Sequence, residues 1–223
     1  MGVTGTSGVT AHIPEQRGRS LREHAVRYAE ERHWEVFPGT WLESVRGTER
    51  CSCGEPACEA PGAHPVDTRW SGQATATASA VRRLWARQPQ ASVLLPTGRT
   101  FDAIDVPETA GCLALARMER LELPVGPVTG SPDGRMLFLV QPGAAAKVPD
   151  LVRNLGWSPG ALDLGTRGEG GWIAAPPTRL GTRGSVQWVC RPTAANRWLP
   201  DAAELISPLA YACGREAAVA RAR

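Results

Sequence analysis

The chain has 223 residues, 42% of them hydrophobic and 21% charged, with a formal net charge of +3. That length can bury a substantial core, and no apolar run approaches the ~18–20 residues of a membrane span. The small net charge gives no global electrostatic case for nucleic acid, and Lys147 is the only lysine among the basic residues. Coding bias of a GC-rich genome accounts for the arginine excess as well as phosphate recognition does.

Residues 1–18 read as a disordered leader without an apolar signal segment, so the protein is expected to be cytoplasmic, with Cys112, Cys190 and Cys213 reduced. From residue 19 to the end, one domain is expected. Ser20 followed by Glu23 predicts a capped helix whose apolar positions are Leu21, His24, Ala25, Tyr28 and Ala29. Trp34-Glu-Val-Phe-Pro38 reads as a buried strand. Residues 51–65 then place Cys51, Cys53, Cys58 and His64 in a segment too rich in Gly and Pro for helix or strand. Three thiols and an imidazole at short spacing suit a tetrahedral Zn²⁺ with all four positions filled, hence a structural zinc. A disulfide with a spare thiol, or three reduced cysteines in a disordered loop, is the alternative.

A helix is expected over 77–88, with Ala80, Val81, Leu84 and Trp85 on one face. Apolar runs at 91–98 and 101–106 around Gly98-Arg99 predict a hairpin. Helix is expected over 108–121, then a hairpin closed by Asp133-Gly134. Helix near 147–155, strands near 161–164, 172–175 and 186–189, and a helix over about 207–221 complete the reading. Helices interleaved with antiparallel hairpins give the class α+β. Most of the eight tryptophans fall at apolar-periodic positions and read as core.

With these segments in order, residues 20–190 resemble the bifunctional DNA primase/polymerase (prim-pol) family of the archaeo-eukaryotic primase superfamily. The resemblance is carried by Trp34-x-Val-Phe-Pro38, the Cys loop ending in His64-Pro65, Val93-Leu-Leu-Pro-Thr-Gly98 and Ile104-Asp-Val106. Ser131-Pro-Asp-Gly-Arg135 and the stretch from Asp163 through Arg167-Gly-Glu-Gly-Gly171 to Pro177 complete it. It implies an RRM-like mixed or antiparallel sheet flanked by helices, and a nucleotidyl-transfer site using Mg²⁺ or Mn²⁺. It also implies nucleotides and DNA as partners, with a replication or mobile-element protein as a further one; the lack of a long apolar run already gives the expectation of no membrane partner.

Two-metal phosphoryl transfer needs several carboxylates converging on ions about 3.5–4 Å apart. By the resemblance, Asp105 and Asp163 are the matching carboxylates, while Pro107 stands where a second strand carboxylate belongs. Glu108 reaches the site only if the strand bulges. Met136 stands where the family has a histidine near the phosphates, and Arg135 and Arg167 are the candidate phosphate contacts. Each has an ordinary counterpart: strand-end aspartates, a plain glycine turn, a solvated arginine. A degenerate active site is therefore expected. Three readings stay open: a metal-dependent primase/polymerase of weakened or lost activity, an inactive nucleotide- or nucleic-acid-binding accessory protein, and a zinc-stabilised protein-interaction domain.

Overall fold

Ser20 opens helix α1 (Leu21–Arg32) in the computed structural model, which describes residues 20–221. Its hydroxyl accepts the Glu23 N–H and the Glu23 carboxylate accepts the Ser20 N–H, forming the expected capping box. The leader expected over 1–18 lies outside the described residues. Strand β1 (Phe37–Pro38) is shorter than expected at its N-terminal end, where Val36 pairs with Thr75 in an isolated bridge instead of extending the ladder on the neighbouring strand. β2 (Leu42–Val45) and β3 (Thr48–Cys51) form a hairpin that the sequence did not announce. Its two-residue turn is Arg46-Gly47, both at positive φ, so the arginine takes the place of the usual Asn or Asp.

Helix α2 (Ala78–Arg87) buries Val81 and Trp85. There follow β4 (Val93–Pro96), β5 (Asp102–Pro107), α3 (Glu108–Arg120), β6 (Val128–Ser131), β7 (Arg135–Val140) and α4 (Ala144–Asn154). β8 (Gly165–Arg167), β9 (Trp172–Ala174), β10 (Gln187–Cys190) and α5 (Ala202–Arg221) complete the chain. The last helix starts five residues before its expected position, and Pro208 lies inside it. Ala202, Leu205 and Ile206 are buried ahead of that proline, so packing carries the helix past a residue that would otherwise end it.

The main sheet has the order β10-β6-β7-β5-β8, and all its pairs are antiparallel. Within it β5-α3-β6-β7-α4-β8 is a βαββαβ unit of split βαβ topology, which is the RRM-like arrangement expected. A second sheet, β1-β4-β9, lies against it. Strand alternation separates two cores. Ile104, Val106, Met136, Phe138 and Val140 pack with residues of α3, α4 and α5. Ala103 and Leu139 point the other way, to Trp34, Trp85, Val93 and Ile173 of the second sheet and its helices. Tyr28 of α1 spans this interface, donating to the Pro176 carbonyl at 2.6 Å and accepting from Trp188 Nε1 at 3.1 Å. No helix among the described residues is long and apolar enough to cross a membrane.

Two expectations are corrected. β4 and β5 do not form a hairpin: the turn exists, with the Gly98 N–H on the Phe101 carbonyl, but each strand enters a different sheet. Both strands are buried on both faces, so each needs neighbours on two sides that a simple hairpin would not supply. Gly98 is required there, since φ is +94° and a Cβ would lie 2.2 Å from the Glu169 Cα. The strand expected near 161–164 is a 3-10 turn over Pro159–Ala161, and β8 begins only at Gly165.

Candidate functional site

The antiparallel register of β5 on β7 sets Asp105 opposite Leu137 and Pro107 opposite Arg135. β6 adds Thr129 opposite Leu137 and Ser131 opposite Arg135. Residues paired directly across strands share a face, so Asp105, Pro107, Thr129, Ser131 and Arg135 all turn toward the second sheet. There a cleft of about 150 Å³ opens, lined among others by Asp105, Thr129, Arg135, Arg167, Trp172 and Val186.

An ion network closes the floor of this cleft. Arg135 Nε lies 2.8 Å from Asp105 Oδ1, and Arg167 Nη2 lies 3.0 Å from Asp105 Oδ2. Arg135 Nη1 also donates to both oxygens of Asp163, at 2.9 and 2.8 Å. Asp105 thus carries one guanidinium on each oxygen, and Arg135 bridges the two aspartates. Burial acts to lower the pKa of Arg135, but Asp105 and Asp163 outweigh it and the net shift is upward. The fold therefore brings Asp105, Asp163, Arg135 and Arg167 together, as four members of one charge cluster.

Other sequence candidates fall outside it. Glu108 is the first residue of α3, exposed, and its backbone N–H donates to the Gly134 carbonyl at 2.8 Å. The β5–β7 register runs unbroken from Asp102 to Pro107, so the bulge that would have turned Glu108 into the cleft is absent. Met136 faces the helices, where a Cβ on Gly111 would lie 2.5 Å from its sulfur. The side chains on the cleft face of that strand are Arg135 and Leu137, so the missing imidazole is not a vacancy in this cleft. Asp102 lies on the far face, as its spacing from Asp105 requires, and accepts the Ala145 N–H near the start of α4 at 2.9 Å.

Within the Arg167–Gly171 run, the Gly171 N–H is spent on the Gly168 carbonyl and Thr97 Oγ1 donates to the same oxygen at 2.6 Å. It is a turn that hands the chain from one sheet to the other. Sequence reasoning missed Thr129, wholly buried in the cleft with its Oγ1 unpartnered. No local pattern marks such a threonine; only the strand register places it.

The donor set does not fit a pair of divalent cations. Both Asp105 oxygens already accept arginine hydrogen bonds, Asp163 shares Arg135, and the next site-facing position of β5 is a proline. Two ions need several free carboxylate oxygens converging on them.

The Cys/His loop fits a metal well. The ligand atoms of Cys51, Cys53, Cys58 and His64 all lie within 4.8 Å of one another. A tetrahedron with 2.3 Å bonds has edges of about 3.8 Å, so closing on an ion asks only small movements. His64 Nδ1 lies 2.7 Å from the Pro65 carbonyl, which can only accept. Nδ1 therefore carries the proton, and the Nε2 lone pair faces Cys51 Sγ at 3.4 Å. Burial pushes the Cys51 thiol up, but the N–H groups of Cys53 and Gly62, with Thr40 and the Cys53 thiol, pull it down to about 6. Cys58 is pushed up to about 12 by burial and by its cysteine neighbours. Ala60 and Ala63 of this loop form one wall of the cleft.

Residues 25–202 match the family described as bifunctional DNA primase/polymerase, N-terminal. That match covers most of the chain, so the chain belongs to this family. No curated protein and no solved structure matches it.

Proposed function

We propose that this member of the DNA primase/polymerase family acts, from residue 19 onward, as a nucleotide- and DNA-handling domain that has lost two-metal nucleotidyl transfer. The observation that carries this reading is the Arg135 guanidinium, bridging Asp105 and Asp163 where divalent ions would need those oxygens. An arginine supplies fixed positive charge without an ion. Arg135 still has Nη2, and Arg167 still has Nε and Nη1, to direct at a phosphate while Asp105 holds both side chains in place. Cys51, Cys53, Cys58 and His64 hold a structural zinc that fixes the cleft wall. With no open coordination position, it takes no part in bond making.

The test is calorimetry of Mn²⁺ and of a deoxynucleoside triphosphate on zinc-loaded protein, beside a primer-extension assay. Wild type is compared with Asp105→Ala/Asp163→Ala and with Arg135→Ala. The expected result is nucleotide binding that needs no Mn²⁺ and weakens in Arg135→Ala, with no extension. Mn²⁺-dependent binding and extension, both lost in the double aspartate variant, would restore the catalytic reading. No binding to any nucleotide or DNA, with fold and zinc intact, would turn the search to a replication or mobile-element partner protein.

A further inference from the structure

Trp198 is 90% exposed, while the other exposed large hydrophobic residues range from 40 to 54%. This exposure does not come from a loose loop. Arg32 donates to the carbonyls of Thr193 and Asn196 at 2.8 and 2.9 Å. Asn196 Oδ1 accepts the Thr193 N–H at 2.7 Å, and its amide donates to the Arg191 carbonyl at 2.9 Å. On the other side of Trp198, the Leu199 and Pro200 carbonyls both accept from Gln141, at 3.0 Å each. A loop held on both sides presents a full indole to solvent.

The charge around that indole is one-sided. Between Glu169 and Asp201 the chain carries Arg179, Arg183, Arg191 and Arg197 and no carboxylate side chain. Arg179 is spent on Glu49. Arg197 and Arg183 are exposed, and neither has a carboxylate in ion-pair range among the described residues. Arg197 lies close enough to Arg32 for the two like charges to oppose one another, and burial together with Arg197 lowers the pKa of Arg32. Glu31 offsets part of that repulsion on the Arg32 side, so among the described residues Arg197 is the guanidinium left without a carboxylate beside an exposed aromatic, an arrangement that suits an anionic ligand with stacking rings.

These groups lie at the two ends of one strand. Arg183 stands between Leu180 and Val186, both lining the cleft, just ahead of β10. Arg197 and Trp198 follow the other end of β10, the edge strand of the main sheet. At about 3.4 Å per residue the four residues of β10 span roughly 10–13 Å, and Arg183 and Arg197 stand beyond its two ends, so a nucleic-acid strand that contacts both must be several nucleotides long.

We infer that Trp198, Arg197 and Arg183 form a single-stranded nucleic-acid track along the β10 edge, with a base stacked on Trp198 and phosphates held by the two arginines. Aromatic platforms beside cationic side chains are the chemistry by which single strands are bound without sequence readout. The inference rests on the nucleic-acid reading of the domain but uses residues outside the cleft.

The test is anisotropy of a fluorescein-labelled oligo(dT) at low salt, paired with calorimetry of a deoxynucleoside triphosphate, on zinc-loaded protein. Trp198→Ala is expected to weaken oligo(dT) by about 5- to 150-fold, and Trp198→Phe to keep most of the affinity. Arg197→Ala and Arg183→Ala are each expected to lower the salt slope of oligo binding by about 0.7. Nucleotide affinity, zinc content and Tm stay at wild-type values in Trp198→Ala. Oligo binding indifferent to Trp198→Ala and Arg197→Ala overturns the track. Nucleotide binding without any oligo binding in wild type overturns it while leaving the cleft reading standing. Oligo binding that follows Trp198 without nucleotide binding keeps the track and removes the cleft reading. Self-association lost in Trp198→Ala, with no oligo bound, identifies a protein contact instead and overturns it.

Discussion

Thr129 and Arg135 show how a single side chain acquires a role from its strand neighbours. In sequence Thr129 is one threonine among many; the register of β6 on β7 points it into the cleft, wholly buried, with an unpartnered hydroxyl. A buried hydroxyl without a partner costs about 1–3 kcal/mol by mutational measures. Thr129→Val is therefore expected to stabilise the ligand-free protein by about 1 kcal/mol, which raises Tm by about 2–4 °C in a chain of this size. Thermal unfolding checks it, and a fall in Tm would mean that a water or ligand satisfies the hydroxyl. Arg135 was legible as a candidate from its place beside the Asp133-Gly134 turn. Its grip on both aspartates was not, because Asp105 and Asp163 are 58 residues apart in the chain and meet only across β5, β7 and the approach to β8. Met136 shows the same rule in the opposite sense. A residue one position along a strand changes face, so a chain position matched to a histidine is no guide to where its side chain points.

Among the elements, β5 carries most of the consequence. Its alternation was readable: Asp105 and the position two residues on share a face, and Asp102 takes the other. Pro107 stands at that position, opposite Arg135, so the strand presents one carboxylate where two-metal chemistry needs more. Pro107→Asp is expected to place a second carboxylate beside Asp105 and to create Mn²⁺ binding measurable by calorimetry against wild type. No heat in the variant would show that Arg135 and Arg167 hold the site against the ion. The capped α1 and the Asp133-Gly134 hairpin were readable because their signals are local: a hydroxyl and a glutamate three residues apart, a turn dipeptide between apolar runs. β2–β3 carried no such signal, as an Arg-Gly turn and a polar, exposed strand pair look like loop. The β4 and β5 runs misled because a short apolar segment does not say which sheet it will enter.

At the scale of the whole molecule, two sheets meet over Tyr28, Trp34 and Trp188, and the cleft is the gap left where they part beside the Cys/His loop. That loop has few apolar side chains to bury, so the metal its four donors could hold would be its strongest tether. Chelation is expected to lower Tm and to weaken nucleotide binding together, because Ala60 and Ala63 leave the cleft wall when the loop opens. If zinc fills the cluster, Cys53→Ser should lose the metal measured by elemental analysis, and Cys213→Ser, buried on α5 away from the cluster, should keep it. Chelation without effect on either property would make the loop self-supporting. By itself the sequence determined the α+β class, the capped start of α1, the Cys51-Cys53-Cys58-His64 set and the family resemblance, since caps, turn dipeptides and ligand spacing are short-range and written in neighbouring residues. Only the tertiary structure decided that β4 and β5 part, that Glu108 and Met136 lie outside the cleft, that Arg135 joins two distant aspartates, and that Trp198 stands in solvent. Each of those depends on strand register and on the packing of segments far apart in the chain, where one residue of slip exchanges a buried face for an open one.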